Sequence, residues 1–442
     1  MGTRVFALPL IFGGLVAAAT PAKVTFHEDV LPILQNRCQG CHRPGEAAPM
    51  ALLTYEQARP WAKAIREAVL SKKMPPWHGD TPHGKFVNDR RLPESEIATL
   101  TAWADAGAPE GDRKKTLPAL QFSEGWRIGT PEAIVEMPAE YTVAATGTIQ
   151  YTWIVVPTGF TEDRWVEKLE VRPGSRNVVH HIVVMSRPPG SNYMKAAQSG
   201  IPFVPTRNPI KPGVDKGIGV FNFLNNAVEI VGVYVPGGDP YETKSGQARL
   251  IKAGSDLVFQ MHYTANGKET PDRSKVGIVF AKEPPKERVV NTFIMNPNLR
   301  IPPGAPDHEI QANVTVHADV TVNSLFPHMH VRGKGFEYRA HYPTGESELL
   351  LSVPKYDFNW QTTYYFTNPV RMPKGTRIQA IARYDNSPNN PHNPDPKAEV
   401  TWGDQTWEEM LAGFVDFVIP VDMPVSDIAR PRPPATTAAA GQ

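Results

Sequence analysis

The sequence predicts a multidomain protein in which a small all-α domain is followed by two all-β sandwich domains of the jelly-roll type. The chain has 442 residues, enough for about three domains with a core each. Helical periodicity with a capping signal occurs before residue 106, and short apolar runs separated by turn residues come after it. The 45 prolines are scattered among these runs, which suits edge strands and loops better than long helices.

The N-terminus indicates an exported protein, and the balanced charge gives no reason to expect a highly charged partner. The formal net charge is +1, so no nucleic acid partner is expected. Residues 1–22 have the pattern of an export signal, because Arg4 precedes an apolar run that Pro21 follows. That run is short for a membrane span, which needs about 20 residues. We expect a periplasmic or secreted protein without stable membrane insertion, and a retained amphipathic anchor is the alternative.

A pentapeptide in the first predicted domain, residues 23–110, has the pattern of a c-type heme attachment site. In Cys38-Gln-Gly-Cys41-His42, two thiols can bond the porphyrin vinyl groups and the imidazole can be an axial ligand. A thiol redox pair or a zinc pair is the alternative. The chain has no other cysteine, so the sheet domains have no disulfide framework, and heme attachment would leave no thiolate for copper.

Two helices are predicted in this domain. Thr54 and Gln57 form a capping box for a helix that runs to about residue 73. One face of this helix is apolar and carries Trp61, Ile65 and Val69. The second helix, over residues 94–105, would pack beside the heme through Ile97, Leu100 and Trp103.

Met74 is the predicted distal heme ligand. The prolines that follow it end the helix and present Met74 on a loop. His/Met ligation gives a relatively high potential, which suits electron transfer. The competing ligands are Met50, His78 and His83. The whole segment resembles a small class I cytochrome c.

Short strands are predicted beyond a polar linker over residues 107–120. The first sheet domain spans residues 121–285, with candidate strands at 148–156, 165–171, 178–185, 227–235, 256–263 and 275–281. A break at Pro284-Pro285 leads to the second, residues 286–425, with candidates at 289–296, 313–325, 329–342, 361–366, 376–384 and 414–419. Residues 426–442 are rich in Pro, Ala and Thr and are predicted to be a disordered tail.

Histidines in both sheet domains indicate two metal sites. His328 and His330, at i and i+2 in a predicted strand, project from one face and can chelate copper or zinc. His180 and His181 can reach one metal only if their strand bulges. The alternative is one buried and one exposed histidine.

Three further residues complete the predicted sites. His262 would join the histidine pair, and Gln260, on the same strand face, would be its hydrogen-bonding partner. Met410 would add a soft thioether to His328 and His330, which favours Cu(I) and O2 binding. A core position for Met410 in an amphipathic helix is the alternative.

These residues resemble, in order and approximate spacing over residues 121–425, the copper type II, ascorbate-dependent monooxygenases, which include the peptidylglycine alpha-hydroxylating and dopamine beta-monooxygenases. The resemblance implies two jelly-roll domains that face a solvent-filled cleft. It also implies an electron-transfer copper at His180, His181 and His262. A second copper at His328, His330 and Met410 would bind O2 and hydroxylate a C–H bond.

The chain departs from this family in two ways. Animal members have several disulfides, which this chain cannot form. The peptide-hydroxylating branch clamps a substrate carboxylate with an Arg and a Tyr, where this chain has Phe326 and Phe414. We therefore expect an apolar pocket and a substrate that is not a peptidyl-glycine, although both could be core phenylalanines.

The predicted activity is copper-dependent monooxygenation of an apolar or small organic substrate with O2. Two copper ions and one covalently bound heme c are expected, with electrons from a periplasmic donor entering through the heme one at a time. A cytochrome joined to a non-catalytic copper-binding sandwich is the main alternative. A zinc hydrolase with Glu408 or Glu409 as its base ranks last, since neither has the H-E-x-x-H spacing.

Overall fold

The computed structural model describes residues 23–46, 48–122, 125–205 and 228–429. The predicted export signal lies outside the described residues. The helices are α1 (Leu31–Arg37), α2 (Tyr55–Ala58), α3 (Ala62–Leu70) and α4 (Glu94–Asp105), with a π-helical turn at Phe26–Val30 and short 3-10 turns at Arg59–Trp61, Arg113–Lys115 and Val425–Asp427.

The strands up to the domain break are β1 (Ala133–Glu136), β2 (Tyr141–Val143), β3 (Thr152–Pro157), β4 (Arg164–Arg172), β5 (Val179–Arg187), β6 (Glu229–Tyr234), β7 (Tyr241–Glu242), β8 (Gln247–Ile251), β9 (Asp256–Tyr263), β10 (Thr270–Asp272) and β11 (Lys275–Phe280). The strands after it are β12 (Glu287–Met295), β13 (Arg300–Ile301), β14 (His308–Thr315), β15 (Val320–His328), β16 (Gly333–His341), β17 (Ser347–Val353), β18 (Tyr364–Met372), β19 (Arg377–Tyr384), β20 (Val400–Thr401) and β21 (Ala412–Pro420).

Two β-sandwiches follow one another along the chain, as predicted. In the first, strands β1, β11, β4 and β8 pack on the sheet β3-β9-β5-β6, and buried residues of both layers share one core, among them Leu169, Ile182 and Phe259. In the second, strands β12, β21, β15 and β18 pack on the sheet β14-β19-β16-β17, around Val322, Phe336 and Ala380.

The two sandwiches are joined more closely than a series of separate domains. Strand β8 pairs in parallel with β12, with Gln247 opposite Glu287 and Ala248 opposite Arg288. One nine-stranded sheet therefore runs through both halves. A buried ion pair between Arg249 and Asp416 (2.8 Å) crosses the same junction. The break at Pro284-Pro285 therefore lies on the connection between two strands of one sheet, β11 and β12, which β4 and β8 separate. Periodicity could not show this, because a pairing between distant strands has no local signal.

The N-terminal helices follow the prediction with one exception. Thr54 Oγ1 accepts from the Gln57 amide (3.3 Å) and Gln57 Oε1 accepts from the Leu53 amide (2.9 Å), so the capping interaction is present. The predicted single helix is divided into α2, a 3-10 turn and α3, because Pro60 has no N–H to donate. Trp61 lies in this 3-10 turn and its side chain is 41% exposed. The prediction that it shares one apolar helix face with Ile65 and Val69 is therefore wrong. Helix α4 has the predicted bounds and buries its three apolar residues.

A segment of the predicted first domain belongs to the second sandwich. The chain from residue 77 to residue 90 runs beside β18, where the Val87 amide donates to the Tyr365 carbonyl (2.9 Å) and the Thr367 amide to the Lys85 carbonyl (3.0 Å). Trp77 and Phe86 are buried in the core of the second sandwich. The boundaries predicted for the first domain are therefore too simple, since its residues 77–90 contribute to another core while α4 stays in its own.

The predicted disordered tail begins too early. Ile428 and Ala429 are buried in the core of the second sandwich, and the Ile428 carbonyl accepts from the His317 amide (2.9 Å). Residues 430–442 lie outside the described residues. None of the helices that the structure describes is long and apolar enough to cross a membrane.

Candidate metal centre

A bulge in β5 brings three histidines together. His181 lies opposite His262 in the pairing of β5 with β9, and the register shifts between Val179 and His181. The extra residue at this shift is His180, so neighbouring side chains that a regular strand would point apart can turn toward one metal. The predicted bulge and the predicted meeting of these three histidines are both present.

The three rings converge through one type of nitrogen. His181 Nδ1 lies 3.1 Å from His180 Nδ1 and 3.4 Å from His262 Nδ1. Ligand atoms of all three residues lie within 4.8 Å of one another. A group of imidazole nitrogens this close, without a carboxylate among them, is the donor set that copper or zinc prefers.

His328 and His330 form the second set at the end of β15. Their ring centroids lie 5.2 Å apart, so the predicted pair is close. However, β15 ends at His328, and His330 lies beyond it. The prediction that strand alternation holds this pair is therefore wrong. Each ring is held instead by its own hydrogen bonds.

Those hydrogen bonds leave one nitrogen of each ring free. His328 Nδ1 donates to Gln361 Oε1 (2.7 Å), and His330 Nδ1 donates to the Glu408 carbonyl (3.1 Å). A proton held on Nδ1 leaves the lone pair of a neutral imidazole on Nε2, which is how outer partners orient metal-binding histidines. His330 Nε2 is buried without a hydrogen-bond partner.

The Glu409 carboxylate connects the backbone of Met410 to the backbone around His330 through hydrogen bonds. Its carboxylate accepts from the amides of His330 (2.8 Å), Arg332 (2.6 Å) and Met410 (3.3 Å). Strand β21 pairs with β15 so that Ala412 lies opposite His328, and Met410 lies two residues before this paired stretch begins. Met410 is partly buried against the core of the second sandwich and lies in the segment before β21 rather than in a helix.

Burial keeps all five histidines neutral. Burial lowers the pKa of His328 to about 4 and that of His330 to about 3. It also lowers the pKa of His180, and the pKa values of His181 and His262 are lowered well below their ordinary value by burial and then by the neighbouring histidines. Neutral imidazoles have the free lone pairs that a metal needs.

The two sets form one cluster instead of facing each other across a cleft. The ring centroids of His181 and His328 lie 6.2 Å apart. Tyr151 lies between the sets, 4.3 Å from His262 and 6.0 Å from His330. Phe358 stacks on His180 at 5.0 Å and lies 6.1 Å from His330. Aromatic rings from both halves of the chain therefore lie between the two sets, while His180, His262 and Phe358 also line a large open cavity.

Gln260 does not have its predicted role. It lies opposite Val183 and Trp153 in the sheet, and no hydrogen bond joins it to a histidine among the residues that the structure describes. The glutamine that contacts a site histidine is Gln361. Sequence reasoning missed Gln361, Tyr151 and Phe358, since each lies in a loop or strand end without a pattern. The run Glu408-Glu409-Met410 could have pointed to Glu409 as a residue near the site. From the sequence, Glu409 was considered only as a possible catalytic base.

The predicted heme motif forms one tight turn. The Cys41 and His42 amides both donate to the Cys38 carbonyl, at 3.1 and 2.9 Å, which places both thiols on one turn. Both cysteines are free. Burial raises the pKa of Cys38 to about 12 and also raises that of Cys41, whereas redox-active cysteines have lowered pKa values.

A cavity of about 1560 Å³ lies between this domain and the histidines. It is lined by Met74, by the apolar side chains of Val69 and Ile97, and by His180 and His262. Ile97 belongs to the core against which Cys38 packs. Cys38, Cys41 and His42 are not among the residues that line this cavity, so the cavity does not by itself define a heme pocket. His78 and His83 also line it, whereas Met50 packs against the domain core, so the competing ligands stay open.

Phe326 and Phe414 are neighbours of the second set. They lie opposite each other in β15 and β21 and stack with centroids 5.5 Å apart. Their centroids lie 6.3 and 6.2 Å from that of His328. The pattern of alternation predicted this common face.

The comparisons with known proteins add little. No family model and no curated protein matches the chain. Among solved structures, the chain is similar to the major capsid protein P2 from bacteriophage PM2, with 9% identity, a TM-score of 0.26, and coverage of 65% of this chain and 97% of that chain. A structure of infectious bursal disease virus, Gx strain, has 10% identity, a TM-score of 0.19, and coverage of 72% and 78%. At such TM-scores the likeness indicates neither a fold nor a function.

Proposed function

We propose that the chain is an exported copper-dependent monooxygenase that hydroxylates a C–H bond of a small organic substrate with O2 and receives electrons through a fused c-type heme domain. One observation carries this proposal. Five histidines that burial keeps neutral offer three converging Nδ1 atoms in one set and, in the other, two Nε2 atoms that the hydrogen bonds leave free, with the backbone of Met410 held to the same segment by Glu409.

These residues fit two copper ions. His180, His181 and His262 would hold one, and His328, His330 and Met410 the other. When bound, copper supplies the one-electron chemistry by which O2 can oxidise a C–H bond. The heme would be attached at Cys38 and Cys41, with His42 as its axial ligand and Met74 as the favoured distal ligand.

The residues around the ligands have separate tasks. Gln361 and the Glu408 carbonyl hold a proton on Nδ1 of each ring, so that Nε2 stays available. Glu409 fixes the backbone that carries His330 and Met410. Tyr151 and Phe358 exclude water from the space between the two sets.

The same contacts argue against a zinc hydrolase. Both carboxylate oxygens of Glu409 accept backbone N–H groups, one from His330 and the other from Arg332, so the carboxylate is engaged in positioning. Glu408 accepts from the Gln405 amide (2.9 Å). A thioether beside two imidazoles favours copper over zinc.

Metal analysis with spin resonance of the oxidised protein tests the proposal. We expect two copper ions with type II signals and one heme per chain. A spectrum with heme alone and colourless bound metal would support zinc. Copper uptake without O2 consumption, for any substrate offered with a reductant, would support the non-catalytic alternative.

Met410→Ala tests the oxygen site. Loss of a direct ligand should lower hydroxylation by more than the roughly 10–100-fold that removal of an outer partner costs. The copper held by the three histidines should keep its spectrum. Met423→Ala is the matched control, because Met423 is also partly buried against the same core. Full activity of copper-loaded Met410→Ala would refute the assignment.

A further inference from the structure

A second cavity lies beside His328. Its volume is about 80 Å³, and its walls include Phe326 and Phe414, whose rings contact His328. Gln361, the hydrogen-bond partner of His328, lines it as well. Arg90 and Asp239, which are 28% and 43% exposed, also line it. The cavity therefore extends from near the surface to the proposed oxygen site.

The wall of this cavity is not apolar, contrary to the prediction from Phe326 and Phe414. Arg249 and Asp416, a buried ion pair, line it together with Asn291 and Ser324. Asp416 accepts from Arg249 Nη2 (2.8 Å), Asn291 Nδ2 (2.7 Å) and Ser324 Oγ (2.8 Å). With the guanidinium and carboxylate paired, the group has no net charge to offer a ligand.

Two polar atoms of this group are left without a partner. Arg249 Nε, a donor, and Asn291 Oδ1, an acceptor, are both buried and have no hydrogen bond. The Arg249 side chain is 4% exposed. Both side chains bind the same oxygen of Asp416, so the free donor and the free acceptor belong to one small cluster. Buried polar groups normally have partners, and these two lack theirs.

We infer that this cavity binds one end of the substrate and selects a neutral group that both donates and accepts a hydrogen bond, namely a hydroxyl or a primary amide. This inference rests on the proposed function. A carboxylate is disfavoured because both guanidinium groups at the wall, those of Arg249 and Arg90, are already paired with Asp416 and Asp239. A cavity of roughly 150 Å³ can hold benzene, so the present one admits an end group of only a few heavy atoms.

The test is a ligand-observed NMR titration of the full chain, with and without copper, using propanamide, 1-propanol and propanoate as probes. We expect propanamide and 1-propanol to bind and propanoate to bind at least about tenfold more weakly. Asn291→Leu should weaken propanamide binding about tenfold. Phe414→Trp, which fills space at the cavity wall, should weaken binding of both neutral probes.

Asn323→Leu is the matched control. Asn323 also has a buried, unpartnered Oδ1 but is not among the residues that line the cavity. Equal binding of propanoate, no binding of any probe, or an Asn291→Leu affinity equal to that of the control would each overturn the inference. Because the titration works on the copper-free chain, binding without copper uptake or O2 consumption would refute the proposed function and leave the pocket in place.

Discussion

At the residue scale, the proposed centre depends on histidines that stay neutral and hold their protons on chosen nitrogens. Gln361 and the Glu408 carbonyl hold the protons of His328 and His330 on Nδ1. Burial keeps the rings neutral, because it disfavours the charged imidazolium. Glu409 adds a carboxylate that is almost saturated by backbone amides. These local contacts lead to two predictions.

The metal-free protein should lose stability in acid. The folded pKa values of about 4 for His328 and about 3 for His330 lie below the ordinary value of 6.5, so the unfolded chain binds more protons below that value. Stability is therefore lost as the pH falls from 6.5 toward 4. Burial raises the pKa of Glu409 to about 7, which acts in the opposite direction between pH 4.5 and 7, but it is one group against two.

Urea unfolding at pH 7, 5.5 and 4 measures this effect. We expect the free energy of unfolding to fall by on the order of 2–4 kcal/mol in the metal-free protein. Replacement of both histidines, His328→Gln with His330→Gln, should reduce this loss, and the lowered pKa values of His180, His181 and His262 should leave a smaller pH dependence. A pH-independent free energy in the unmodified chain would contradict the neutral, buried state of these rings.

Glu409→Gln should loosen the second set. The amide has one acceptor oxygen, so its NH2 group must face a backbone N–H that the carboxylate now satisfies. We expect the free energy of unfolding to fall by about 1–3 kcal/mol, measured in urea at pH 7.5. Glu399→Gln is a control at an exposed position. Unchanged stability and copper content would mean that Glu409 does not fix this segment.

At the element scale, strand pairing decides which side chains meet. The bulge in β5 gathers the first three histidines, and the pairing of β15 with β21 places His328 opposite Ala412 and Phe326 opposite Phe414. Tyr338 stabilises the pairing of β15 with β21, because its hydroxyl donates to the carbonyls of Phe326 (3.0 Å) and Phe414 (3.2 Å). The ring needs a glycine opposite it.

Gly413→Ala should disturb this stabilising contact. A Cβ at Gly413 would lie 2.9 Å from Tyr338 Cε1 and 3.0 Å from its hydroxyl oxygen, and Tyr338 is fully buried. Overpacking of this kind costs about 1–3 kcal/mol, measurable in thermal or urea unfolding. Gly125→Ala is the control, since a Cβ there meets nothing within 4 Å. Equal effects of the two changes would show that the Tyr338 contact is unimportant.

At the scale of the whole molecule, the predicted heme domain is built into the sandwiches. Trp77 and Phe86 pack with Tyr364 of β18, with ring centroids 4.9 and 5.4 Å from it. Ion pairs of Arg90 with Asp239 and of Arg176 with Glu46 join the same two parts. Electron delivery from a fixed domain would not require a diffusional encounter.

Cleavage in the exposed stretch from residue 111 to residue 121 should not separate the two parts. We expect the nicked chain to elute as one species in size-exclusion chromatography, because the segment from residue 77 to residue 90 stays in the second core. Phe86→Ala should remove about 3–5 kcal/mol of packing and allow the fragments to separate. Phe160→Ala is the control, because Phe160 is partly buried against the core of the first sandwich and packs with Phe280. Separation of the unmodified nicked chain would contradict this account.

Much of the fold and the candidate site could be predicted from local patterns. The C-x-x-C-H spacing, the capping pair Thr54 and Gln57, and the alternation in β9 are properties of neighbouring residues, so the sequence alone determined them. The same holds for the histidines as candidate ligands and for the common face of Phe326 and Phe414. One predicted strand, over residues 313–325, is divided between β14 and β15 by a turn that the apolar run concealed.

Only the tertiary structure decided which of these pieces touch. The contacts of Tyr151 and Phe358 with histidines of the other sandwich and the buried Arg249–Asp416 pair beside two phenylalanines join residues more than 100 positions apart, and the pairing of β8 with β12 makes one sheet of the two halves. Sequence periodicity shows which face of a strand is buried, but it does not show what that face packs against. That choice depends on the pairing of distant strands and on the burial of their side chains in a shared core.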